Sequence, residues 1–106
     1  MTIPKSVKVG GKTYEVEITD RLDLGAANCA GEILYDKLII RILPNPGQMM
    51  HSVLLHEIVH AMLQNLGYRD HDEQKVDEFA NALHALIVDN PEMFERSSYD
   101  NPDRQP

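Results

Sequence analysis

Alternation of apolar and polar positions dominates the first part of the chain. Tyr14, Val16 and Ile18 alternate with Thr13, Glu15 and Glu17, the period-two signature of a half-buried strand. Val7 to Val9 precede it, and Gly10-Gly11-Lys12 between them supply the positive φ of a tight turn, so Val7 to Ile18 reads as a β-hairpin. Asp20 to Asn28 has no clear period and is interrupted by Gly25, which suggests a loop with at most one helical turn. A second hairpin is expected from Ala30 to Tyr35, a turn at Asp36-Lys37, and Leu38 to Ile42. The run Leu38-Ile39-Ile40 suggests a strand buried on both faces.

The period then changes. Pro44-Asn45-Pro46-Gly47 ends the sheet, and Met49 to Leu66 contains neither Gly nor Pro, predicting a long helix with Gly67 as its C-cap. A second helix is expected from about Asp72 to Asp89, with Val76, Phe79, Ala80, Leu83 and Ile87 at three-to-four spacing and Pro91 as its stop. Four strands followed by two helices predict an α+β fold: a small antiparallel sheet of two hairpins carrying one layer of helices.

A chain of 106 residues, 42% hydrophobic and 25% charged, is expected to form one globular domain over residues 1–96. The Asp/Asn/Pro/Ser-rich stretch 97–106 has little to bury and is expected to be a mobile tail. A formal net charge of −7 argues against nucleic acid and anionic membranes, and leaves peptides and proteins as partners. Cys29 has no second cysteine to pair with and reads as a small buried hydrophobe. The first ten residues lack the apolar core of a signal peptide, and polar residues interrupt the longest apolar stretch, so the expected address is the cytoplasm.

Candidate chemistry lies in the first helix, where Leu54 to Leu63 contains His56-Glu57-Ile58-Val59-His60. Residues four apart share a helix face, so two imidazoles can aim at one point, and a neutral imidazole pair suits Zn²⁺. Glu57 projects to the side, where it can reach a metal-activated water rather than the metal. A catalytic zinc normally takes a third protein ligand. Downstream candidates are His71, Asp72, Glu73, Asp77, Glu78 and His84. Glu73 and Asp77 lie one turn apart, so one carboxylate can bind metal while the other orients a ligand imidazole. Two other readings stay open: Asp70-x-x-Glu73 as a capping box, and Asp77 or Glu78 level with the histidines in a tight helical hairpin.

His56-Glu57-x-x-His60 followed by Glu73-x-x-Val76-Asp77-x-Phe79-Ala80 resembles the gluzincin branch of zinc peptidases. The likeness is greatest to small phage- and mobile-element-associated peptidases of the ImmA/IrrE type and to minimal gluzincins, and it covers roughly residues 30 to 90. It implies a zincin-like fold and a zinc-dependent peptidase with ligands His56, His60 and Glu73. Glu57 is then the general base and Asp77 the partner of a ligand imidazole. It further implies that an edge strand, expected at Ala30–Tyr35, holds substrate as an added antiparallel strand. The rival expectation is a metal-binding regulatory or interaction domain without turnover. A third is a latent peptidase whose site is blocked by Glu92, Glu95, Asp100 or Asp103.

Among the remaining residues, His51 is expected at the helix surface, His71 in the connecting loop and His84 as a hydrogen-bonded core residue. Met49, Met50 and Met62 are expected to pack within the fold. Tyr14, Tyr35, Tyr68 and Tyr99 each could donate to an oxyanion, and sequence does not choose among them.

Overall fold

The structure, a computed structural model, describes residues 2–22 and 30–94. Cys29, Glu95, Tyr99, Asp100, Asp103 and the stretch 97–106 lie outside the described residues, as does most of the loop expected before Asn28. The elements are β1 (Ser6–Val9), β2 (Lys12–Ile18), β3 (Gly31–Leu34), β4 (Ile39–Ile42), α1 (Gln48–Asn65), α2 (Glu73–Asp89) and a short α3 (Pro91–Phe94).

Both hairpins form. Val9 pairs with Lys12, leaving Gly10 and Gly11 as a two-residue loop with φ of 59° and 88°, the positive values such a turn requires. The second turn is wider than expected. Leu34 pairs with Ile39, so 35–38 form the loop, and Leu38 takes a left-handed φ of 56°. Asp36-Lys37 offers no glycine for a two-residue turn, so the loop lengthens and one residue absorbs the unfavourable dihedral.

The sheet is mixed rather than antiparallel. Its order is β1-β2-β4-β3, and the hairpins join through their inner strands, β2 running parallel to β4 in the register Glu15↔Ile39 to Ile18↔Ile42. Ile40 and Ile42 are fully buried. Covering them places β4 inside the sheet and pushes β3 to its edge. Only one face of β4 is fully buried, however. Ile39 and Arg41 are half-buried, and Arg41 is paired across both neighbouring strands with Glu17 and Glu32. Its Nε donates to Glu17 Oε1 at 3.0 Å, and its Nη1 lies 3.4 Å from Glu32 Oε2. The expected two-faced burial therefore gives way to a polar rung on the outer face.

α1 packs on the sheet, with Leu54 and Ala61 among Tyr14, Ile33, Ile40 and Ile42. Its adjoining face carries Leu55 and Val59 against Val76 and Ala80 of α2. The helices therefore do not form a single layer: α2 meets α1, not the sheet. The α2 stripe is Val76, Ala80, Leu83 and Ile87. Phe79, expected in that stripe, sits about 100° round the helix from Ala80 and is 59% exposed. Met50 packs as expected, whereas Met49 and Met62 are exposed. Among the described residues no helix is long and apolar enough to cross a membrane.

The turn between the helices sets their alignment. Gly67, with φ of 101°, follows the last residues of α1. Its N–H donates to Gln64 O at 3.1 Å and the Tyr68 N–H donates to Leu63 O at 3.0 Å, the paired bonds of a Schellman motif. The Asp72 side chain then caps α2, accepting from the N–H groups of Gln74 and Lys75 at 3.0 and 3.3 Å. Asp70 and Glu73 thus form no capping box. Glu73 begins α2 with its side chain free to turn towards α1.

Candidate metal centre

His56 and His60 stand one turn apart on α1, and Glu73, at the start of α2, faces both. Glu73 Oε2 is 3.1 Å from His56 Nε2, and its Oε1 is 3.0 Å from His60 Nε2. One ligand atom from each of the three residues falls within 4.8 Å of the others, a grouping that could hold a metal ion. The segment after Gly67 therefore runs back far enough to set Glu73 level with the histidines.

Other downstream candidates are placed elsewhere. Asp72 caps α2, and Glu78 accepts from Gln74 Nε2 at 3.3 Å on the exposed face of α2. His84 is half-buried and, like His51, borders a separate apolar cleft that Ile87 and Phe94 also line. Glu92 is exposed on α3.

Asp77 stands behind the first histidine, its Oδ1 2.7 Å from His56 Nδ1. A carboxylate can only accept there, so Nδ1 carries the hydrogen. With that hydrogen on Nδ1, the neutral form of the ring turns its Nε2 lone pair towards a Glu73 oxygen. The 3.1 Å between them is bridged either by a proton, as in an imidazolium–carboxylate pair, or by a metal ion. The donor set therefore fits a metal ion, and two imidazoles with one carboxylate is a known zinc-binding combination. Burial lowers the pKa of His60, against the pull of the Glu73 carboxylate, which favours the neutral ring a metal requires.

Glu57 occupies the next position on α1 and is only 6% exposed. Burial raises its pKa to about 7; the Glu73 and Glu32 carboxylates add to the rise and His56 opposes it. A carboxyl group titrating near neutrality can both take and return a proton. It borders a cleft of about 330 Å³ that also reaches Ala30 and Gly31 at the start of β3, Ser52 and Val53 on α1, and Ala80 and Asn81 on α2. Close approach of β3 needs Gly31: a Cβ there would lie 2.5 Å from Val53 Cγ1 and 3.4 Å from Glu57 Oε2.

Sequence alone places His71 in the connecting loop and gives it no partner. The structure sets its Nδ1 2.7 Å from His60 Nδ1, with the rings stacked, and its Nε2 2.9 Å from the Tyr68 carbonyl oxygen. Tyr35 packs edge-on against His71 at 6.4 Å between ring centroids. No sequence signal marked this pairing, because it depends on how the turn after Gly67 folds back. Among the described tyrosines, Tyr35 is thereby placed beside the site. Burial, reinforced by the Glu57 charge, pushes its pKa up to about 12. Comparison with protein families, curated proteins and solved structures finds no match.

Proposed function

We propose that this chain is a zinc-dependent peptidase whose metal is held by His56, His60 and Glu73. The observation that carries the reading is their convergence at a cleft bordered by a buried carboxyl group, Glu57, whose pKa is raised to about 7. Zinc in such a site supplies Lewis-acid polarisation of a carbonyl and of water. Glu57 takes the proton of the attacking water and returns it to the leaving amine, while Asp77 holds the His56 ring in its ligating orientation. An extended peptide enters along β3, the outer strand on the cleft side, where pairing with the strand edge aligns it.

A structural metal site has no need of a proton acceptor beside it, which favours an enzyme over the non-catalytic regulatory domain. The test pairs zinc analysis with cleavage of an unfolded protein substrate for the native chain and Glu57→Gln. One zinc per chain in both, with cleavage lost in Glu57→Gln by at least about a hundredfold, is expected. Zinc in both and cleavage in neither would leave the regulatory reading standing.

A further inference from the structure

We propose that His71 is a positioning residue that fixes the tautomer of His60, acting as a relay between a helix cap and the metal centre; this rests on the metal site proposed above. The Tyr68 carbonyl oxygen can only accept a hydrogen bond. It lies 2.9 Å from His71 Nε2, so that nitrogen carries the hydrogen. In the neutral ring Nδ1 is then bare. His71 Nδ1 stands 2.7 Å from His60 Nδ1, a separation that calls for one hydrogen between the two nitrogens. His60 must supply it. The His60 hydrogen is thereby held on Nδ1, and its Nε2 lone pair is left to face Glu73 Oε1 at 3.0 Å.

Each ligand imidazole thus has its own acceptor: Asp77 for His56 and His71 for His60. The two differ in origin. Asp77 belongs to α2, whereas His71 is set by the turn before it, through the Gly67 Schellman motif that orients Tyr68. Tyr35, from the loop after β3, stacks edge-on against the His71 ring and limits its rotation. A carboxylate at position 71 would add charge to a site already carrying Glu57, Glu73 and Asp77. A neutral imidazole supplies the acceptor without it.

The tautomers can be read directly in metal-free protein labelled with ¹⁵N, from the ring-nitrogen shifts at about pH 8, where unperturbed imidazoles are neutral. His60 is expected with its hydrogen on Nδ1 and His71 with its hydrogen on Nε2. Zinc affinity, measured by competition with a chelating dye, is expected to fall about 10–100-fold in His71→Ala. His71→Asn presents its side-chain oxygen where Nδ1 stands, and should recover most of that loss although it lacks the ring and the bond to Tyr68. A residue that merely filled space would not be rescued in this way. Finding the His60 hydrogen on Nε2 in the native protein, or equal losses in the alanine and asparagine variants, would overturn the proposal. Neither measurement uses peptide cleavage, so a chain that binds zinc without turnover defeats the peptidase reading and leaves this one intact.

Discussion

Gly31→Ala offers the sharpest test of how β3 is seated against α1. The added Cβ would stand 2.5 Å from Val53 Cγ1 and 3.0 Å from the Arg41 carbonyl oxygen. Carbon atoms in good contact lie about 3.5–4.0 Å apart, so the Val53 contact is short by about 1 Å or more. The same Cβ meets Glu57 Oε2 at 3.4 Å, an ordinary contact, so the strain falls on packing and not on the carboxylate. Overpacking of this kind costs about 1–3 kcal/mol. In a domain of this size that corresponds to a Tm lower by very roughly 4–20 °C.

Val53→Ala removes the atom in the way and supplies the control. Alone it should cost about 1 kcal/mol, because the side chain is half-buried. Combined with Gly31→Ala, it should cost clearly less than the sum of the two single changes. The Arg41 carbonyl still resists, so rescue will be partial. Urea unfolding of all four proteins in chelator, which keeps metal binding out of the measurement, gives the coupling. A favourable coupling of about 1 kcal/mol is expected; additivity within about 0.5 kcal/mol would refute the claim that β3 presses on α1 at Val53.

The other predictions concern the site itself. Glu73→Ala should weaken zinc binding more than Asp77→Ala, whose loss of an orienting hydrogen bond is expected to cost about 10–100-fold in a dye competition; the reverse ranking would make Asp77 the ligand. Tyr35 should be a late-titrating phenol. Its folded pKa of about 12 exceeds the unfolded value near 10, so the folded chain holds the proton more tightly. Its contribution to stability is then complete below pH 10 and is lost as pH rises through 12. Absorbance at 295 nm during an alkaline titration should show a late step that Tyr35→Phe abolishes; an unchanged curve would place that phenol elsewhere.

Much of the fold was legible because it is governed by local rules. Gly10-Gly11 announces its turn through the dihedrals it permits, and the apolar run of α1 and the Gly67 cap announce a helix and its end. The pairing of β2 with β4 was not legible. Each strand shows its period, but which hairpin edges meet is decided by burying Ile40 and Ile42, a tertiary demand that leaves no mark in either strand. The two-faced burial expected from Leu38-Ile39-Ile40 fails for a related reason. Arg41 is flanked by isoleucines, and the strand register lines it up with acids on both sides. Phe79 shows the limit of three-to-four spacing: several faces of α2 satisfy it, and only the position of α1 selects the one through Val76 and Ala80.

The site divides along the same line. His56, Glu57 and His60 were legible because one helix presents them, and helical periodicity fixes their relative directions. Glu73, Asp77 and His71 come from beyond a turn, where spacing no longer determines distance. The interface explains why they nonetheless arrive. α2 contributes only two fully buried residues, Val76 and Ala80, towards α1, whereas its first turns bring Glu73 and Asp77 onto the two histidines. Its apolar contacts therefore set the spacing between the helices, and its polar end meets the histidine face of α1. Metal bound at this junction would bridge the helices, so its binding free energy would add to the stability of their packing. One short turn, closed by Gly67 and capped by Asp72, thus positions the donor set of the proposed centre.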